Sequence, residues 1–217
     1  MPRRSRTLIL AWLGLCLALN QPLAAGSLTI QVYDTNHNSL TDAVIYLLAD
    51  RELPAPKTDS RYEVEQKDKT FQPFVTVIPV GASVMFPNRD GIGHHVYSFS
   101  PPRKFELPLS EHESTDTITF DQPGLVTVGC NIHDWMAAYI YVVATPYHAK
   151  SDANGQAVIE DLPAGIYDLH VTHPGIKGAA DQTRRVDAAT ENRLEFILEV
   201  KPEYLWRPEP HDEEEPY

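Results

Sequence analysis

Apolar and polar residues alternate over short stretches of this chain, and helical spacing is never sustained. Residues 27–33 alternate, a turn follows at Asn36, His37 and Asn38, and alternation resumes at 43–48. Residues 70–78, 83–86, 95–99, 115–120, 125–130 and 138–143 carry strand signatures, as do 157–159, 167–171 and 194–200. Successive side chains of a strand point to opposite faces, so each run offers one apolar face to a core. Proline at 18 positions and glycine at 11 punctuate the runs. Many short strands at near-regular spacing predict an all-β chain built from β-sandwiches. Residues 50–66 are polar with two prolines and predict a linker or long loop. A second pause falls at 145–150. Residues 201–217, rich in proline and glutamate, predict a flexible acidic tail.

The N-terminus follows a different logic. Arg3, Arg4 and Arg6 precede an apolar run over 8–19, and Ala24, Ala25 and Gly26 follow Pro22. Basic start, short apolar centre and small residues form the layout of a secretory signal peptide over residues 1–25. The apolar run is too short to span a membrane comfortably. Cleavage after Ala25 and after Gly26 both remain open, and an uncleaved N-terminal anchor is the rival reading. The expected location is therefore exported or periplasmic, with membrane contact only through a retained N-terminus.

Removal of that segment changes two quantities. Three arginines leave, taking the net charge from −12 to −15. Cys16 leaves as well, so Cys130 becomes the only cysteine. The acidity argues against nucleic acid and against anionic membrane surfaces, and favours a basic protein partner. A lone cysteine in an exported protein is buried and inert, awaiting a partner chain, or bound to a metal.

The surroundings of Cys130 favour the metal. Cys130, His133 and Met136 fall within seven residues, just past an apolar strand at 125–129. A thiolate, an imidazole and a thioether in one short loop can face a single centre. Sulfur and imidazole donors select copper over hard ions, and two His with one Cys and a weak axial Met form the blue-copper set. His94, after the turn at 88–93, supplies the second imidazole. His95 stands beside it, so either neighbour is a candidate, and strand alternation with motif register favours His94. Zinc is the rival metal, although Met is a poor zinc ligand. Four protein donors to one copper leave no open position for a substrate, which predicts an electron carrier and not an enzyme. Trp135 reads as a packing or surface aromatic and Asp134 as solvated. Asn88 reads either as a brace between the loops or as a turn residue. His37, His112, His148, His170, His173 and His211 lack partner spacing and read as surface or core histidines.

The stretch from Asn88 through His94-His95-Val96, followed by Cys130-x2-His133-x2-Met136, resembles the cupredoxins. The short loop is similar to amicyanin, and the wider region resembles cupredoxin-type proteins labelled "methylamine utilization protein". The resemblance covers roughly residues 62–145. It implies a Greek-key β-sandwich, one type 1 copper held by His94, Cys130, His133 and Met136, and an electron-transfer setting. His95 stands where those families usually carry Asn. A second run, from Ser151-Asp-Ala-Asn-Gly155 through Leu162-Pro-Ala-Gly165-Ile-Tyr167, resembles carboxypeptidase-regulatory-like (transthyretin-like) β-sandwiches, which are non-catalytic. Residues 30–34 and 38–45 resemble the opening of such a module. One discontinuous sandwich, 27–50 with 147–200, is expected around the copper domain. Asp152 and Asn154 read as turn residues before calcium ligands. Copper delivery and a non-redox binding module are the alternative functions.

Overall fold

The computed structural model describes residues 26–108, 117–178 and 181–204. The proposed signal segment, residues 205–217 of the tail, His112 and His211 lie outside the described residues. In chain order the strands are β1 (Gly26–Asp34), β2 (Val44–Leu48), β3 (Tyr62–Glu63), β4 (Glu65–Lys67), β5 (Thr70–Gln72) and β6 (Val75–Pro79). Then come β7 (Ser83–Met85), β8 (Val96–Ser98), β9 (Phe105–Glu106), β10 (Thr117–Thr119), β11 (Gly124–Cys130) and β12 (Ala137–Val143). The last are β13 (His148–Lys150), β14 (Gln156–Leu162), β15 (Ile166–Thr172), β16 (Gln182–Asp187) and β17 (Arg193–Leu198). A single 3-10 turn, Pro202–Tyr204, is the only helical element among the described residues. The protein is all-β, and its sheets pack as sandwiches.

One sandwich stacks sheet β14-β1-β17 on sheet β13-β2-β15-β16. Leu28, Ile30 and Val32 of β1 point inward at every second position. They meet Ile45 and Leu47 of β2, Leu169 and Val171 of β15, and Leu194, Phe196 and Leu198 of β17. Each such fully buried side chain stabilises by about 1.5–3 kcal/mol relative to exposure. β1 runs antiparallel to β14 and parallel to β17. The parallel pair joins Thr29 to Arg193 and Asp34 to Leu198, which lie far apart along the chain.

The other sandwich stacks β10-β7-β3 on β6-β12-β11-β8-β9. Its core holds Ile78, Val84, Phe86, Val96, Phe120, Val126, Val128 and Ile140, with Cys130 and Met136 at one end. A third, smaller cluster of Val44, Val75 and Tyr141, flanked by Tyr46, Phe74, Val77 and Tyr139, joins the two sandwiches. Lys150 reinforces the junction. Its Nζ donates to the Val75 carbonyl at 2.8 Å and pairs with Asp42 Oδ1 at 2.8 Å.

Several sequence expectations change. The single strand expected over 70–78 is two, β5 and β6, because Pro73 has no N–H to continue a ladder. The stretch 50–66 is not uniformly a linker. Tyr62–Glu63 pairs with β7, Glu65–Lys67 pairs with β5, and Val64 between them is fully buried. Gln66 hid this strand, since a polar residue rarely marks a core position. It is 3% exposed, with its amide donating to the Phe86 carbonyl at 2.8 Å. The pause at 145–150 contains β13, and β9 and β16 are further strands that the pattern did not mark. The first tail residues are held, with Lys201 N–H on the Gly175 carbonyl and the Tyr204 ring 5.9 Å from that of Tyr139.

Candidate metal centre

β11 carries Cys130 to the end of its sheet, where Cys130 pairs with Val96 of β8. The chain then folds back tightly. Met136 N–H donates to the His133 carbonyl at 3.0 Å and Cys130 N–H to the Met136 carbonyl at 3.3 Å. Asn131 N–H donates to the His95 carbonyl at 3.1 Å, which ties this loop to the start of β8. Upstream, Asn88 organises its own turn. Its Oδ1 accepts from Asp90 N–H at 2.9 Å and its Nδ2 donates to the Ile92 carbonyl at 2.8 Å. These two bonds fit its reading as a turn residue.

These two loops bring His94, Cys130 and His133 together. Cys130 Sγ lies 3.8 Å from His94 Nδ1 and 3.9 Å from His133 Nδ1. The donor atoms all lie within 4.8 Å of one another, and this is the one such group of three found among the described residues. All three side chains are buried. Met136, 2% exposed, closes the same loop from the core side. Two sides near 3.8 Å and a third within 4.8 Å put the point equidistant from the three atoms about 2.1–2.5 Å from each. That is the length of a first-row metal bond to imidazole or thiolate, about 2.0–2.3 Å. The donor set therefore fits a transition metal by spacing, and by softness it fits copper.

Strand alternation separates the two neighbouring histidines. His94, Val96 and Ser98 face inward, whereas His95 turns the other way and its Nε2 meets Glu106 Oε1 at 2.9 Å. The far nitrogen of His94, Nε2, lies 2.7 Å from Asp90 Oδ2. Asp90 also accepts the backbone N–H groups of Asp68 and Lys69. Burial opposes charge on all three of Cys130, His94 and Asp90. At Cys130 the His94 contact and the N–H groups of His95, Ile132 and His133 outweigh it, bringing the thiol down to about 6. At His94, burial is outweighed by Cys130 and Asp90, and the imidazole is raised. At Asp90, burial is outweighed by the Lys69 N–H, His94 and the Asp68 N–H, and the carboxyl is lowered. The metal-free cluster is thus set to ionise its thiol near neutrality, as metal binding requires.

The rim of the site is apolar. Ile92, Ile132 and Trp135 are each about two-fifths exposed. Trp135 packs its ring 5.2 Å from His133 and donates Nε1–H to the Lys69 carbonyl at 3.0 Å, while Asp134 is exposed as expected. The remaining described histidines lie elsewhere: His37 in a turn, His148 on β13, His170 stacked on Tyr46, and His173 buried near the junction. Asp152 Oδ1 accepts the N–H groups of Asn154 and Gln156, which is turn geometry. Sequence reasoning did not find Asp90, Glu106 or the Asp68–Lys69 turn. A carboxylate four residues before His94 was the available signal for Asp90, whereas Glu106 arrives only through the pairing of β9 with β8.

No protein-family profile matches the chain, and no curated protein matches it. Solved structures do. A Cu-containing nitrite reductase (NirK) from Thermus scotoductus SA-01 matches at 27% identity and a TM-score of 0.37, over 45% of this chain. The match spans about a quarter of the reductase's length, 25%. A purple cupredoxin from Nitrosopumilus maritimus matches at 21% identity and a TM-score of 0.34, over 39% of this chain and 100% of its own. A mutant of amicyanin in the Cu(I) form matches at 18% identity and a TM-score of 0.36, over 46% of this chain and 98% of its own. These structural neighbours are cupredoxins or contain a region of that kind, and each likeness spans less than half of the chain.

Proposed function

We propose that this chain is an exported protein that binds one copper in a type 1 site and passes single electrons. His94, Cys130 and His133 would hold the ion, with Met136 as a weak thioether donor. The observation that carries this reading is the buried triangle of one sulfur and two imidazole nitrogens at bonding radius from a common point. Bound copper would supply a one-electron couple. The protein's part is to ionise Cys130, to hold both rings in place and to exclude water from them. Four donors leave no coordination position for a substrate, so the reading is a carrier and not an enzyme. His133 stands nearest the apolar rim of Ile132 and Trp135, where a partner would approach. The mature charge of −15 favours a redox partner with a basic surface.

The organisation proposed with this function is an interrupted sandwich. Residues 27–50 and 147–200 form a carboxypeptidase-regulatory-like module, residues 62–145 form the cupredoxin domain, and residues 1–25 direct export to the periplasm. Metal titration with absorption spectroscopy tests the function. One copper per chain, an intense thiolate-to-copper band lost on reduction and restored on oxidation, and no band in Cys130→Ser are the expected results. Colourless Cu(I) that passes readily to an acceptor protein would identify a delivery protein instead. A folded protein that takes up no copper would sink both and leave a binding module.

A further inference from the structure

We propose that Asp90, clamped by the Asp68–Lys69 turn, is the positioning residue of the copper site, fixing the tautomer of His94 and lowering the reduction potential. This deepens the copper reading above and rests on it. Three hydrogen bonds converge on one carboxylate. Oδ1 accepts Asp68 N–H at 2.7 Å, and Oδ2 accepts Lys69 N–H at 3.0 Å and meets His94 Nε2 at 2.7 Å. Asp68 and Lys69 both have φ of 54°, so the two-residue turn between β4 and β5 presents consecutive N–H groups to the same acceptor. An ionised carboxylate only accepts, so the proton of the neutral ring sits on Nε2 and the lone pair on Nδ1. Nδ1 is the nitrogen 3.8 Å from Cys130 Sγ. Asp90 thus selects which nitrogen faces the thiol.

The same turn reaches the other loop. The Lys69 carbonyl accepts the indole N–H of Trp135 at 3.0 Å, and Trp135 lies between His133 and Met136. One hairpin therefore ties the loop that bears His94 to the loop that bears the other three donors. The His94 side chain is 0% exposed and that of Asp90 is 12% exposed, so solvent and salt screen the pair weakly. A negative partner on the far nitrogen makes an imidazole a stronger donor. That favours the more highly charged copper. One electron converts Cu(II) to Cu(I), and no proton or bond is transferred at Asp90. The carboxylate acts only on the relative affinity of the site for the two states.

The test compares wild type, Asp90→Asn and Asp90→Ala as full-length protein. Asparagine keeps the size and an accepting oxygen while removing the charge. The copper-loaded Asp90→Asn variant is expected to keep the thiolate band. Losing such a partner usually costs about 10–100-fold in metal affinity, and where the lost charge weakens Cu(II) alone, the preference for Cu(II) over Cu(I) falls by that factor. At 59 mV per tenfold for one electron, the potential rises by roughly 60–120 mV. An unchanged potential with an intact band overturns the proposal. Nitrogen NMR of the His94 ring gives a copper-free readout. With the ring neutral, at alkaline pH, the proton is expected on Nε2 in wild type and shared between both nitrogens in Asp90→Ala. A ring indifferent to the substitution overturns the clamp. Wild-type protein without copper uptake would overturn the copper reading and the claim on potential, while the NMR result still decides the clamp.

Discussion

At Cys130, burial and hydrogen bonding pull in opposite directions. A thiol 3% exposed in an apolar core would stay protonated, yet the His94 ring and three backbone N–H groups bring it to about 6. In the metal-free protein, thiolate absorbance in the ultraviolet is expected to titrate with a midpoint near 6. A midpoint near the ordinary value of 9.0 would show that the ring contact is absent in solution. The two adjacent histidines give the second residue-level prediction. His94→Gln is expected to cost more than about 100-fold in copper affinity, whereas His95→Gln, which loses only a contact to the exposed Glu106, is expected to change it less than about threefold. Equilibrium metal competition measures both. Cys130, His133 and Met136 were legible because the donor types sit at short, fixed spacing in one loop. His94 was less so, because only strand direction separates it from His95. Asp90 was not legible, since a carboxylate in a polar turn resembles any solvated residue until its three partners are placed.

Among the elements, strands with a clean apolar period, such as β1, β2, β11 and β12, were read in place. The ones that escaped share a physical reason. β4 buries a glutamine, β9 has two residues, and β16 is exposed at its first four positions, so none carries an alternating signal. β4 matters most, because its hairpin with β5 supplies the turn that grips Asp90. Gln66 anchors this hairpin, and Gln66→Ala would leave the Phe86 carbonyl buried without that donor. The expected loss is about 1–3 kcal/mol, read from chemical denaturation. A second element-level test concerns the turn before β14. Gly155 has φ of +74°, and a Cβ there would lie 2.4 Å from the Val32 carbonyl oxygen. Gly155→Ala is expected to cost at least about 1–3 kcal/mol through strain and displacement of β1. A variant as stable as wild type would mean that the turn is free to relax.

For the whole molecule, acid stability is set partly at the junction. His173 is 3% exposed and its Nδ1 accepts Gly175 N–H at 3.1 Å. Burial pushes its pKa from 6.5 to about 4, against an opposing bond to the Thr41 backbone. Between those values the unfolded chain takes up the proton and the folded chain does not. Stability from this residue is therefore full above about pH 6.5 and falls as pH drops toward 4, by roughly 3 kcal/mol in all. His173→Gln is expected to flatten that slope in denaturation curves taken across the window. An identical slope in both proteins would place the acid sensitivity elsewhere.

The pairing of β1 also sets an order of events during folding. β1 lies at the start of the described chain, yet its neighbours are β14 and β17, near the end. It cannot enter a sheet until β14, more than 120 residues later, has left the ribosome. At about 5–20 residues per second, that delay is of order ten seconds or more. The strands from β3 to β12 need no such wait, because they pair with one another. They are free to close first and bring the ends of β2 and β13 close together. Closing that long excursion beforehand removes the loop entropy that would otherwise oppose the last sheets. The nascent chain would thus complete the half that carries Cys130 while its first strand still waits for a partner.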